Sequence, residues 1–129
     1  MSKVYSSDEV FKLLGEDNLK KTDGMTKSGS IEIDGYNVYI DSWRYRTFYQ
    51  KGTKCTCCGK EGMYFKLTPA IDNQKRAHFN LYAEDGTLMT KDHIIPKSRG
   101  GKNCINNFQT YCEHCNRSKG NTIKNSIRI

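Results

Sequence analysis

The spacing of apolar and polar positions changes period several times along the chain. Ser7-Asp8-Glu9-Val10-Phe11-Lys12-Leu13-Leu14 carries apolar residues at helical spacing. With Ser7 as N-cap, acids in the first turn and Gly15 as a stop, it predicts a short helix. Glu16 to Ser30 is rich in Lys, Asp, Gly, Ser and Thr and predicts a loop or linker. Ile31 to Ile40 alternates on either side of Asp34-Gly35, which predicts a β-hairpin. Ser42 caps a second helix, Trp43 to Lys51, ended by Gly52. Gly62 to Leu67 and Ala77 to Ala83 read as strands, and Glu84-Asp85-Gly86-Thr87 turns the second into another, Leu88 to His93. A further short strand leads to Tyr111, and a helix opens at Cys112. The class is α+β, with neither an internal repeat nor a low-complexity tract.

At 129 residues with 36% hydrophobic content, the chain allows one compact domain with a thin core. Chains of that kind lean on a metal or disulfide staple. No apolar run is long enough for a membrane span. Met1-Ser2-Lys3-Val4-Tyr5 lacks an apolar signal segment, so a cytoplasmic location is expected. Neither G-x-G-x-x-G nor G-x-x-x-x-G-K-[ST] occurs, which disfavours nucleotide-cofactor folds.

The charge is unevenly spread. Residues 1–50 hold 7 basic and 8 acidic side chains, and residues 51–129 hold 14 and 6, so the whole excess of +7 lies in the second part. A nucleic-acid partner fits that part, as does a basic soluble surface.

Four of the six cysteines form C-x-x-C pairs, Cys55/Cys58 and Cys112/Cys115, with 53 residues between the pairs. In a reducing compartment such pairs favour a metal over disulfides, and two of them can close a tetrahedral Zn²⁺ site of four thiolates. Cys57 is too close to its neighbours to replace either without distorting the turn, and Cys104 has no partner at ligand spacing. Both read as small buried side chains.

Trp43-Arg44-Tyr45-Arg46-Thr47-Phe48-Tyr49 interleaves aromatic and basic residues. One reading is a platform for bases or phosphates. The favoured reading is an amphipathic helix whose aromatics cover the core while its arginines face water.

The most informative stretch runs from Met89 to Gly101 and continues through Asn107-Phe108-Gln109-Thr110-Tyr111-Cys112 to Cys115-Asn116-Arg117-Ser118-Lys119-Gly120. It sets an acid–imidazole pair, Asp92-His93, at a strand end before a basic Gly-Gly loop. A returning strand and a helix on the second cysteine pair follow. Neighbours in a regular strand point to opposite faces, so for one site to use both, the strand must end or twist there. Pro96 and Gly100-Gly101 make that reasonable. Asn116 and Lys119 are three apart and share a helix face. His78 and His114 lack this context: the first reads as an exposed strand residue, the second as facing DNA or water.

This arrangement resembles the HNH endonucleases of the His-Me finger (ββα-metal) group over residues 53–121. The carriers are D-H-I-x-P-x-S-x-G-G, N-x-Q-x-x-C-x-x-C-N-x-x-K-G and the upstream C-x-x-C. It is most similar to the small stand-alone HNH proteins of bacteriophages and mobile elements. The resemblance implies a ββα-metal core stapled by zinc at residues 53–121; residues 1–52, the short helix, loop, hairpin and helix read above, lie outside the motif as an N-terminal extension, and 122–129 form a tail. It implies that His93 is the general base, that Asp92 and Asn116 bind the catalytic metal, and that Asn107 braces the loop and holds the His93 ring through the backbone. The last letter of the motif is Asn where the commonest pattern has His. An oxygen pair is a hard ligand set, so Mg²⁺ is expected, with Mn²⁺ tolerated. Lys97, Arg99, Lys102, Arg117 and Lys119 are candidates for gripping DNA phosphates.

Two functions follow. One is a metal-dependent DNA endonuclease. The other is a catalytically silent, zinc-stapled module that binds DNA or a partner. An RNase is a third reading that competition between DNA and RNA would decide. The sequence leaves the target and the choice between monomer and homodimer open.

Overall fold

The computed structural model of the chain describes residues 3–24 and 29–120. The expected tail at 122–129 and part of the expected loop, 25–28, lie outside them. In chain order the elements are β1 (Val4–Tyr5), α1 (Ser7–Leu14), α2 (Glu16–Leu19), β2 (Ser30–Ile33), β3 (Tyr36–Tyr39), α3 (Trp43–Lys51), β4 (Gly62–Pro69), β5 (Ala77–Ala83), β6 (Leu88–His93), β7 (Phe108–Cys112) and α4 (Glu113–Lys119). Two 3₁₀ turns, Lys97–Arg99 and Ile105–Asn107, lie between β6 and β7. The class is α+β, as the sequence predicts. No helix among the described residues is long and apolar enough to cross a membrane.

Local chemistry explains most boundaries. The cap of α1 is Ser6 rather than Ser7. The Ser6 hydroxyl accepts from Glu9 N–H and the Glu9 carboxylate accepts from Ser6 N–H, a reciprocal capping box. The segment after Gly15 is not all loop, because α2 forms there and buries Leu19 completely. The β2–β3 hairpin turns through Asp34 (φ 50°) and Gly35 (φ 87°), the left-handed pair that matches strand twist. The Ser42 hydroxyl accepts from Tyr45 N–H at 3.0 Å and starts α3.

Five strands form an antiparallel sheet in the order β1-β4-β5-β6-β7, with the β2–β3 hairpin separate. Tyr5, Val10, Leu14, Leu19 and Phe48 from the first part share one core with Phe65, Phe79, Leu81, Met89 and Tyr111. Aromatic rings interlock edge to face within it, Tyr5–Phe79 at 5.2 Å and Phe65–Phe79 at 6.2 Å between centroids.

Helix α3 departs from the amphipathic expectation. Tyr45 and Phe48 are buried, but so is Arg46, at 0% exposure. Its guanidinium makes a fork with Asp41, Nε–Oδ1 at 2.8 Å and Nη2–Oδ2 at 2.7 Å, which compensates the burial of both charges. Arg44 also turns inward and donates to the Phe79 carbonyl at 2.7 Å. Strands β5 and β6 pair only at Leu81–Met89 and Tyr82–Leu88 and then part. Helix α3 takes the place of a strand in that gap, since the Tyr45 hydroxyl also accepts from Phe79 N–H at 2.9 Å.

Candidate active site and metal centre

The two cysteine pairs meet as the spacing predicts. The sulfurs of Cys55, Cys58, Cys112 and Cys115 all lie within 4.8 Å of one another. Cys58 and Cys112 Sγ are 3.8 Å apart, the separation that a tetrahedral zinc with bonds of about 2.3 Å imposes. Each pair forms a turn in which the first sulfur accepts the last amide, Cys58 N–H to Cys55 and Cys115 N–H to Cys112, both at 3.5 Å. Burial opposes charge on Cys55, but the amides of Cys58, Cys112 and Cys57 bring its thiol down to about 7. Burial and the neighbouring sulfurs push Cys115 up. Four crowded thiols of this kind fit a divalent ion that neutralises them together. The first turn is tied to β7 by Thr56 N–H donating to the Thr110 carbonyl at 2.8 Å and by the Thr110 hydroxyl donating to the Gly52 carbonyl at 2.6 Å.

Because Cys112 is the N-cap of α4, the cluster also fixes that helix against β6. The Asn116 amide donates to the Thr90 hydroxyl at 2.8 Å, leaving its carbonyl oxygen as the remaining ligand atom. Lys119 is 2% exposed, and its ammonium lies 2.7 Å from the His93 carbonyl oxygen and 3.3 Å from Asp92 Oδ2. The sequence offered Lys119 as a phosphate grip, whereas here it faces Asp92. Gln109, opposite Asp92 on β7, donates to the same Oδ2 at 2.9 Å.

Asp92 and His93 do point to opposite faces of β6. Asp92 turns to α4, while the His93 ring packs edge-on against Phe108, its cross-strand neighbour, at 4.8 Å. They share a site because β6 ends there. Asp92, His93, Pro96, Lys97, Asn116 and Lys119 line one cleft of about 370 Å³. His93 Nε2 lies 2.8 Å from Asn103 Oδ1. An amide oxygen only accepts, so Nε2 donates there, and in the neutral ring the lone pair is on Nδ1.

Asn107 ties the intervening loop together. Its side chain accepts from Ile95 N–H at 2.9 Å and donates to the carbonyls of Ile95 (3.1 Å) and Lys102 (3.0 Å), and its own carbonyl accepts from Ile94 N–H at 2.8 Å. It thus holds the backbone just after His93, while the ring itself is held by Asn103. Gly101 is required by close approach, since a Cβ there would stand 1.7 Å from the Ile95 carbonyl oxygen.

Among the other basic candidates, Lys97, Arg99, Lys102 and Arg117 are exposed, and Arg117 contacts His114 and Glu113. Sequence reasoning missed Asn103, Gln109 and Lys91. The Gly-Gly loop and strand pairing could have pointed to the first two.

Residues 83–128 match the HNH endonuclease family, which covers Asp92, His93, Asn107, Asn116 and the second cysteine pair. The resemblance read from the motifs holds over that segment. No curated protein and no solved structure matches the chain.

Proposed function

We propose that the chain is a metal-dependent HNH DNA endonuclease built on a ββα-metal core, β6, β7 and α4. The observation that carries this reading is the convergence of Asp92, His93 and Asn116 on one cleft beside the cysteine cluster, inside the family-matched segment. His93 is the general base: with Nε2–H held by Asn103, Nδ1 takes a proton from water. Asn107 fixes the loop that presents it. Asp92 and Asn116 would hold Mg²⁺, with Mn²⁺ tolerated, as a hard oxygen pair, and the ion would supply Lewis-acid stabilisation of the charge that develops at the scissile phosphodiester. Structural Zn²⁺ on Cys55, Cys58, Cys112 and Cys115 keeps α4, and so Asn116, in place. Lys97, Arg99, Lys102 and Arg117 grip flanking phosphates in a salt-sensitive way.

One observation favours the second reading, a silent DNA-binding or partner-binding module: Asp92 is already engaged by Lys119 and Gln109. Supercoiled-plasmid cleavage in Mg²⁺, with chelator and His93→Ala beside it, separates the two. Metal-dependent conversion to open circles or linear DNA, lost in the variant, supports the nuclease. DNA binding without cleavage across duplex, single-stranded and branched substrates supports the module.

A further inference from the structure

A second cleft, of about 470 Å³, opens where β5 and β6 part, and Tyr39, Trp43, Arg44, Arg76, His78 and Lys91 line it. Its one lining acid, Asp41, is already taken by Arg46 through both carboxylate oxygens. The remaining charge is cationic. Arg44 Nε and Arg76 Nη1 are buried without a hydrogen-bond partner among the described residues, an arrangement that an anion would complete. The Arg76 guanidinium carbon lies over the Tyr39 ring, 3.7 Å from its centroid, and a guanidinium held over a ring can still make contacts along its edge. The hairpin holds it there, since Asn37 N–H donates to the Lys75 carbonyl at 2.8 Å. Burial and Arg44 pull the His78 imidazole below its ordinary value, a shift that a bound anion opposes.

This cleft adjoins the first. Lys91 lines both, and the Phe108 ring joins them, lying 4.4 Å from the Lys91 ammonium, 5.4 Å from the Trp43 ring and 4.8 Å from the His93 ring. Lys91 and His93 are two residues apart on β6, about 7 Å along the strand, a step on the scale of one nucleotide. At about 470 Å³ the recess has room for one nucleotide, whereas a duplex presents its phosphates on a convex surface.

We infer that the cleft between α3, β3, β5 and β6 is a subsite for one unpaired nucleotide of the DNA strand next to the scissile bond. Arg44, Arg76 and Lys91 take its phosphate, and Trp43, whose ring carries the Arg46 guanidinium 4.8 Å from its centroid, forms the aromatic wall beside its base. The inference rests on the nuclease reading above and gives residues 1–52 a role in choosing substrates with an unpaired segment beside the cut.

The test is fluorescence anisotropy of the full chain, without added Mg²⁺, on a blunt duplex and on the same duplex with a single-stranded overhang, across a salt series. Plasmid cleavage is measured in parallel. The parent should bind the overhang substrate about tenfold more tightly than the blunt one. Arg76→Gln should remove most of that preference and reduce the salt slope by about one. Arg44→Gln/Arg76→Gln should abolish the preference while zinc content stays at the parent level. Should the double variant not fold, Arg76→Gln alone decides, because Arg76 lies outside the helices and strands. Equal binding of the two substrates by the parent, or an unchanged preference in Arg76→Gln, overturns the subsite. Cleavage that persists in the parent then leaves the nuclease reading standing, and absence of both cleavage and DNA binding removes the two together.

Discussion

Lys119 and Asp92 form a buried ion pair, Nζ to Oδ2 at 3.3 Å, with side-chain exposures of 1% and 6%. The ammonium also caps the His93 carbonyl at 2.7 Å, so one cation from α4 holds the end of β6 and its acid together. A positive charge thus stands against the carboxylate proposed to take a divalent metal. On that proposal, lysine and metal compete for one carboxylate.

Replacing Lys119 with Met should therefore destabilise the metal-free protein by about 3–5 kcal/mol, the cost of stranding a buried carboxylate. Added Mg²⁺ should restore much of that loss and raise the melting temperature of the variant more than that of the parent. Thermal melts with and without Mg²⁺ check this. A variant whose melting point ignores Mg²⁺ would count against Asp92 as the metal ligand.

His93→Ala should lower turnover by about 10²–10⁴-fold with the fold and zinc content retained. Asn103→Ala removes only the partner of Nε2, so kcat should fall by about tenfold with KM little changed, and the pH–rate profile should move because the tautomer is no longer fixed. A profile identical to that of the parent would show that Asn103 does not position the base.

Elements with strong local signals were legible in the sequence. The hairpin follows from Asp34-Gly35, α3 from Ser42 and Gly52, and the strands β5 and β6 from their alternation and the intervening turn. Ordered motif residues likewise placed Asp92, His93 and Asn116 together. What escaped depends on distant contacts. Leu19 makes a helix of a polar segment because the core takes its side chain. Arg46 looks like a surface residue until Asp41, five positions earlier, is seen to fold back on it. Lys119 looks like a phosphate grip for the same reason, since its partner lies on β6, far earlier in the chain. The gap between β5 and β6 has no signature at all in either strand.

Alkaline pH offers a test of the join between β1 and the hairpin. The Tyr5 hydroxyl donates to the Asp34 carboxylate. Burial first, and then that bond with the nearby charges of Asp34 and Glu9, push the phenol up to about 12. The folded state thus favours the neutral phenol. That contribution is fully present below the ordinary tyrosine value of about 10 and is lost as pH rises to about 12. Denaturant melts across this window should show the parent losing stability more steeply than Tyr5→Phe, which keeps the ring and drops the titration. Parallel slopes would mean that folding does not hold the Tyr5 phenol in its neutral form.

Cysteine substitution separates the four clustered thiols from Cys57 and Cys104. Cys58 closes the first turn and meets Cys112 across the cluster, so Cys58→Ser should release zinc and unfold the domain or lower its melting temperature sharply. Cys104→Ser lies outside the cluster and should keep one zinc per chain by elemental analysis. Cys57→Ser is the more exacting control, because that residue sits inside the first turn between Cys55 and Cys58, where its amide supports the Cys55 sulfur. An amide survives the substitution, so zinc should be retained there too. Loss of zinc in Cys57→Ser with retention in Cys58→Ser would reverse the ligand assignment, and a parent chain free of zinc after expression in zinc-supplemented medium would remove the metal centre altogether.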